Sequence, residues 1–280
     1  MKKITFFLMI LSFCFVNAQE QDSTLHRWMP SFVAGINMSQ VSFKDWAKGG
    51  ENSVAWTLKG NFTLNYKSEN WRFKNQLKGE YGRTQIGDND FRTTSNEVFL
   101  ESVLSLNVGW GVDPYVSNML RTQISTGYNY KVTPEVKISD FFDPGYITQS
   151  IGFTYDRHEN FTTRLGLAFK ETFTKDYRQY SDDNETKDKI EDFKFETGLE
   201  SVTEAQLNLA ENIDWKGKLR LFTRFENIDV WDVRWDNIIV AKVNSWLNVN
   251  FEFIMLYEKA QSLKTQMKEA LQIGVTYKFL

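Results

Sequence analysis

Lys48, Gly49 and Gly50 form a Lys-Gly-Gly segment of the kind that can bind an anion, because bare backbone amides beside a lysine suit a phosphate group. The segment lacks the second glycine and the Gly-Lys-Ser/Thr ending of a phosphate-binding loop. Residues from Ser53 onward have the pattern of a strand, so no helix presents its N-terminus to a phosphate. We therefore interpret Gly49 and Gly50 as the apex of an exposed loop.

A serine hydrolase needs a histidine that accepts the proton of its nucleophile. The sequence has two histidines, His26 near the N-terminus and His158 in a polar turn, and neither is followed by a nearby serine in a strand. The acidic segment 181–188 is rich in oxygen ligands but lacks the glycine and the final acid of an EF-hand loop. We predict no enzymatic activity, no cofactor and no catalytic or metal-binding residue.

Charged side chains of both signs recur in the middle of the predicted strands. If they pair across the interior of a barrel, the barrel is closed and serves as a scaffold or assembly partner. If the basic cluster on one wall is unpaired, it attracts anions into a pore. The candidates for the lumen-facing surface are Lys59, Arg72, Lys74, Glu80, Arg121, Arg164, Glu200, Lys216, Lys218, Arg220, Arg224 and Glu252.

The elements that must position these charges are strands. In residues 54–67 the apolar and polar residues alternate, apart from Gly60, and this period of two is typical of a strand with one face of each kind. The pattern repeats after a short turn at 68–70 and recurs to the C-terminus, least cleanly in residues 231–243. We count about twelve strands, most with the roughly 9–11 residues that a tilted strand needs to cross a membrane.

Two features favour an apolar face that contacts lipid over the alternative of a soluble barrel or sandwich. Short connections (68–70, 157–160, 244–245) alternate with long ones (42–52, 131–145, 176–191, 258–268), as in transmembrane barrels. Aromatic residues at the strand ends form two girdles suited to membrane interfaces. These are Trp56, Trp71, Trp110, Tyr155, Trp215, Trp231 and Trp246. The sequence predicts an all-β fold, a transmembrane antiparallel up-and-down β-barrel of about 12 strands.

The first residues have the form of a secretory signal peptide, with two lysines, an apolar run and Ala18 at the cleavage site. We predict a signal peptide at 1–18, a periplasmic segment at 19–30 and an outer-membrane barrel at 31–280, in a Gram-negative bacterium. Cys14 is the only cysteine, and the bulky Phe13 before it argues against a lipid anchor.

The C-terminal strand carries aromatic residues that resemble the signal read by the barrel assembly machinery. The residues concerned are Tyr277, Phe279 and Leu280. The whole chain has 33 basic and 36 acidic residues, a net charge of −3, and without Lys2 and Lys3 it has 31 basic residues and a net charge of −5. This balance excludes a nucleic-acid-binding surface of the usual kind. The expected partners are outer-membrane lipid, the assembly machinery and small polar solutes, with no nucleic acid.

Four segments resemble a family of Bacteroidota outer-membrane proteins that is catalogued as a domain of unknown function. They are residues 37–41 (NMSQV), 46–53 (WAKGGENS), 127–130 (GYNY) and 227–246 (NIDVWDVRWDNIIVAKVNSW). The resemblance extends over nearly the whole mature chain. It implies an outer-membrane barrel and supplies no catalytic or ligand residues.

The function predicted from the sequence is a narrow pore or transport component for small polar solutes. The alternative is a structural or interaction barrel with a salt-bridge-filled lumen that presents extracellular loops. An outer-membrane hydrolase ranks third.

Overall fold

The computed structural model describes residues 25–44, 47, 49–182, 189–259 and 263–279. The predicted signal peptide at 1–18, Trp46, Lys48, most of the acidic segment 181–188 and Leu280 lie outside these residues. The strands are β1 (Arg27–Val41), β2 (Ser53–Lys67), β3 (Trp71–Ile86), β4 (Arg92–Leu106), β5 (Asp113–Thr122), β6 (Gly127–Asn129), β7 (Val136–Ser139), β8 (Gly145–His158), β9 (Phe161–Phe173), β10 (Phe193–Ala210), β11 (Ile213–Arg224), β12 (Asn227–Lys242), β13 (Leu247–Tyr257) and β14 (Gln266–Lys278).

Twelve of these strands close into one antiparallel barrel in the order β1-β14-β13-β12-β11-β10-β9-β8-β5-β4-β3-β2. The short strands β6 and β7 form a separate hairpin between β5 and β8. The predicted all-β, up-and-down barrel of about twelve strands is confirmed. Its wall begins at Arg27, which pairs with Lys67, and not at residue 31 as the sequence pattern indicated. Arg27 and Pro30 interrupt the alternation of polar and apolar residues in segment 27–30, so the sequence pattern does not show that the strand begins there.

The barrel has its polar face inside and its apolar face outside. On β2, for example, Thr57 is buried whereas the neighbouring Leu58 is 49% exposed. Among the described residues, six hydrophobic side chains are buried, compared with 22 polar or charged ones. A soluble domain shows the reverse distribution. The apolar side chains therefore do not form a core and need another apolar surrounding.

The connections differ in length between the two ends of the barrel. One end, here the short-turn end, has the connections 68–70, 107–112, 159–160, 211–212 and 243–246. The other, the long-loop end, has 42–52, 87–91, 123–144, 174–192, 225–226 and 258–265. The two-residue turn at 225–226 is the exception at the long-loop end. Among the described residues, no helix is long and apolar enough to cross a membrane, and the single helical turn is Arg178–Tyr180.

The seam between β1 and β14 is the least extensively paired junction of the barrel, with six residue pairs from Val33–Lys278 to Met38–Ile273. A group of amides covers its inner side. Asn250 Nδ2 donates to Asn37 Oδ1 at 3.0 Å and to Asn248 Oδ1 at 2.6 Å. These bonds link β13 to β1 over Gly274 of β14, where an added Cβ would collide with all three amides. The asparagine group thus holds together strands that few backbone pairs join.

Candidate functional site: the charged lumen

The alternation of the strands directs a dense set of charged side chains into the lumen. One group is centred on Glu101 of β4, which accepts hydrogen bonds from Arg164, from Lys218 Nζ at 2.5 Å and from Arg220 Nη2 at 2.7 Å. Arg220 also contacts Glu200. We call these five residues the Glu101 cluster. Removing such charges from water is costly, so the cluster is stable only because each charge meets opposite ones.

A second group spans the lumen from wall to wall. Arg234 Nη1 lies 3.1 Å from Glu97 Oε2, and Arg121 Nε lies 3.5 Å from the same oxygen. Glu97 is on β4 and Arg234 on β12, which are six positions apart in the ring of twelve strands and therefore face each other. We call Glu97, Arg121 and Arg234 the cross-lumen bridge. Contact between opposite walls means that side chains, and not a water column, occupy the axis at this height.

Further ion pairs connect non-adjacent strands toward the long-loop end. Lys170 Nζ lies 2.7 Å from Glu258 Oε1 and 3.5 Å from Asp232 Oδ2. Arg224 Nη2 lies 3.0 Å from the same oxygen of Asp232 and also contacts Glu196. This network joins the walls from β9 to β13.

Two smaller networks lie on the other side of the barrel. Near the short turns, Arg72 contacts Asp113 and lies 2.5 Å from Asp156 Oδ1. Beside the seam, Lys59 Nζ lies 2.8 Å from Glu252 Oε2 and 3.1 Å from Glu80 Oε2. Lys268 Nζ lies 3.1 Å from Glu80 Oε1, which links β14 to β3.

Two cavities remain between these networks. The larger, about 1090 Å³, extends from the short turns at Glu159 and Asn244 to the long-loop ends of β4, β13 and β14 at Thr94, Leu256 and Gln266. The smaller, about 250 Å³, lies toward the long loops, beside Pro144 and Tyr180. The residues that line both cavities are Glu97, Arg121, Arg234 and Leu256. The cross-lumen bridge therefore lies between the two cavities.

One aromatic ring inside the lumen has several cations around it. Phe99 of β4 is buried, and three cations surround its ring: Lys218 Nζ at 5.0 Å, Arg121 Cζ at 5.2 Å and Lys78 Nζ at 5.8 Å from the centroid. An aromatic face attracts cations at such distances. Phe99 thus gathers basic side chains from three strands around one point.

The structure places eleven of the twelve predicted lumen-facing residues in ion pairs of at most 4.0 Å, and Lys216 lines the larger cavity without a carboxylate partner among the described residues. The pairs are those of Lys59, Arg72, Lys74, Glu80, Arg121, Arg164, Glu200, Lys218, Arg220, Arg224 and Glu252. Of the predicted basic cluster on β11, Lys218, Arg220 and Arg224 are paired, and only Lys216 is not.

Sequence reasoning missed many of the partners. They include Glu97, Glu101, Asp113, Asp156, Lys170, Glu196, Glu204, Asp232, Arg234, Asp236, Glu258 and Lys268. Glu97 and Glu101 had a usable signal, since they alternate with the apolar Val98 and Leu100 on β4. The sequence signal was weaker for Asp232, Arg234 and Asp236. Ile238 and Val240 on the same strand also line the lumen, and they obscure the alternation of polar and apolar residues.

The predicted girdle residues lie near the strand ends of the barrel. At the short-turn end, Trp71 stacks on Tyr66, and Trp110 and Trp246 are exposed. The remaining short-turn residues are Tyr155, whose ring contacts Phe161, and Trp215, whose Nε1 donates to Asn237. At the long-loop end, Trp56 packs near Tyr81, and Trp231 is exposed.

The C-terminal residues are exposed on the outer surface of β14. Tyr277 and Phe279 contact each other edge to face, and Phe279 stacks on Phe32 of β1. The predicted third member of the assembly signal, Leu280, lies outside the described residues. These rings extend the outer contact between the first and last strands.

The two glycines of the Lys-Gly-Gly segment lie in the loop between β1 and β2. Both have positive φ, 81° for Gly49 and 131° for Gly50, which side chains other than glycine rarely adopt. A strand follows at Ser53. Among the described residues, no group of three or more histidine, cysteine or acidic residues could hold a metal ion.

A family model described as "Protein of unknown function (DUF3078)" matches residues 38–128. The resemblance to an uncharacterised family is confirmed over these residues. No curated protein matches the sequence.

Several solved outer-membrane barrels have a similar strand arrangement. The translocator domain of the autotransporter NalP from Neisseria meningitidis has a TM-score of 0.37 and 9% identity, covering 90% of this chain and 88% of its own. An outer membrane channel from Pseudomonas putida F1 has a TM-score of 0.39 and 8% identity, covering 92% and 98%. The CymD monoaromatic hydrocarbon channel has a TM-score of 0.34 and 7% identity, covering 91% and 88%. The likeness at these TM-scores is weak, and the strand pairing of this chain by itself establishes the closed barrel.

Proposed function

We propose that the protein is an outer-membrane barrel whose lumen is closed to diffusing solutes, and that it acts as a scaffold or interaction partner through its long loops. The observation that carries this proposal is the contact between Arg234 and Glu97, which joins opposite walls of the barrel. The predicted alternative, a barrel with a salt-bridge-filled lumen, is thus favoured over the open pore.

The outer surface supports a position in the membrane. Apolar side chains such as Ile151, Leu165 and Leu271 are exposed on the wall. Burying apolar area releases roughly 25 cal/mol per Å², so a wall of this kind is stable in lipid and unstable in water. A closed barrel also leaves no unpaired strand edge in the hydrocarbon, which is the condition for spanning a membrane with strands.

The long loops support a role in presentation, because they are tied into one surface. Asp143, between β7 and β8, accepts hydrogen bonds from the backbone amides of Lys175 at 3.0 Å and Asp176 at 2.8 Å. Gln179 Nε2 donates to the carbonyl of Ile138 in the β6–β7 hairpin at 3.5 Å. The described parts of the loops 123–144 and 174–192 are therefore tied to each other beyond the barrel, as a binding surface requires.

A narrow pore remains the second candidate, and the larger cavity favours it. A volume of about 1090 Å³ holds a small polar solute, and only the cross-lumen bridge and its neighbours separate it from the smaller cavity. Transport through the barrel would require these ion pairs to open.

That the barrel has no enzymatic activity stays a prediction. Among the described residues, neither histidine side chain is hydrogen-bonded to a serine, and His158 instead lies against the ring of Tyr155. A serine hydrolase needs that hydrogen bond or one formed on substrate binding.

Thiol labelling tests whether the lumen is divided. The protein expressed from residue 19 onward has no cysteine, so single cysteines can be placed at Asn61 in the larger cavity and at Gln123 in the smaller one. A membrane-impermeant maleimide is added to vesicles in which the short turns face outward, identified by long loops that external protease does not cut. We expect Asn61→Cys to react quickly and Gln123→Cys slowly.

Replacement of Arg234 by alanine is the matched control, because it removes one arm of the bridge and should speed the labelling of Gln123→Cys. Equal labelling of the two cysteines in the presence of Arg234 would show that the lumen is open and would refute the proposal.

A further inference from the structure

The two cavities of the lumen differ in charge. The smaller cavity is lined by four basic and four acidic side chains, which are Arg121, Lys170, Arg220, Arg234, Glu97, Glu200, Asp232 and Glu258. The larger cavity is lined by ten basic and six acidic side chains. Charge is therefore balanced around the smaller cavity, whereas the larger cavity has an excess of four positive charges.

Part of this excess is not engaged in ion pairs. Among the described residues, Lys78, Lys216 and Lys278 line the larger cavity and have no carboxylate oxygen within 4.0 Å. They come from β3, β11 and β14, so they surround the cavity from three sides of the wall. Lys74 lies 3.7 Å from Asp156 and Lys242 lies 2.6 Å from Asp214, and both remain about half exposed. We call these five residues the vestibule lysines.

All acidic residues of the larger cavity except Glu159 form ion pairs with basic side chains other than the vestibule lysines, and Glu97 and Asp236 pair with Arg234. Glu204 already pairs with Lys218 at 2.7 Å, and Glu80 and Glu252 pair with Lys59. Glu159 lies in the turn 159–160 at the mouth of the cavity, on its rim. Inside, Lys78 and Lys218 approach the same Phe99 ring, so their nitrogens lie within about 11 Å of each other.

We propose that the larger cavity is a binding site for a small multivalent oxyanion, such as a molecule that carries several phosphate groups. Lysines on different walls act as separate point charges, so a ligand with several negative groups gains from all of them at once, whereas a monovalent anion does not. Low-dielectric walls around such a cleft concentrate the field and favour entry of anions. The ligand would enter from the short turns, which face the periplasm if the proposed outer-membrane location holds.

Isothermal titration calorimetry of the refolded barrel in non-ionic detergent, with inorganic tripolyphosphate as the probe, tests the site. The variant is Lys78→Gln/Lys216→Gln/Lys278→Gln. The matched control is Lys131→Gln/Lys137→Gln/Lys175→Gln, which removes three exposed lysines at the long-loop end. Because the lumen variant lacks three positive charges that would face the anion, it should lose at least roughly tenfold in affinity. The control should keep the wild-type affinity.

Salt gives a second readout, since the slope of log affinity against log salt concentration should be shallower for the lumen variant than for the control. If the triple variant does not fold, the single variants Lys78→Gln and Lys216→Gln replace it, each with a smaller loss. Absence of tripolyphosphate binding at low salt, equal losses in lumen variant and control, or binding of an acidic peptide alone would overturn the proposal. The assay needs neither a membrane nor a closed lumen, so its failure is distinct from failure of the proposed function.

Discussion

At the scale of single residues, Glu101 is the most heavily engaged charge in the lumen. Its side chain is 6% exposed and forms ion pairs with Arg164, Lys218 and Arg220. Without Glu101, these three cations would have fewer carboxylate partners than positive charges. We expect Glu101→Gln to leave one buried positive charge uncompensated. Removing one partner of a buried pair costs roughly 3–5 kcal/mol, so the free energy of unfolding should fall by an amount of that order.

Urea unfolding of the refolded protein in lipid vesicles measures this change. Glu159→Gln, in an exposed turn, is the matched control and should unfold at the wild-type urea concentration. A Glu101→Gln midpoint equal to that of the wild type would mean that water or counter-ions already neutralise the cluster.

At the scale of elements, the seam between β1 and β14 depends on Gly274. An alanine there would displace the amides of Asn37, Asn248 and Asn250 and break hydrogen bonds that join the first strand to β13. Overpacking of this kind costs about 1–3 kcal/mol. We expect Gly274→Ala to lower the temperature at which the barrel loses its compact mobility on gel electrophoresis.

Gly79→Ala is the control for the seam, because an added Cβ at Gly79 meets nothing within 4 Å. Both positions lie inside strands, so the intrinsic effect of replacing glycine is similar. Equal shifts for the two variants would contradict a special role of the asparagine group.

The strands also show how far the sequence alone predicts this molecule. On β2 the alternation is clean, so the strand, its two faces and the inward position of Lys59 all follow from the pattern. On β12 the alternation is not clean, because the apolar Ile238 and Val240 line the lumen beside Asp236. The ion pair between Glu97 and Arg234 could not be predicted from the sequence, since the two residues are on strands that lie on opposite walls and do not pair with each other.

At the scale of the whole molecule, the distribution of side chains is the inverse of a soluble domain. Polar residues fill the inside, apolar residues cover the outside, and ion pairs replace the hydrophobic core that twelve strands would otherwise enclose. A barrel of this size lies between small barrels, which side chains fill, and large ones, which hold a water channel. On the proposed function this barrel belongs with the filled ones, and the ion pairs leave a cationic cavity beside them.

Single-channel conductance of the refolded protein in a planar bilayer tests the closed lumen most directly. We predict no steady current for the wild type, since Arg234 and Glu97 block the axis, and a salt-dependent current for Arg234→Ala. A steady, salt-dependent current through the wild-type barrel would contradict the account and establish a pore.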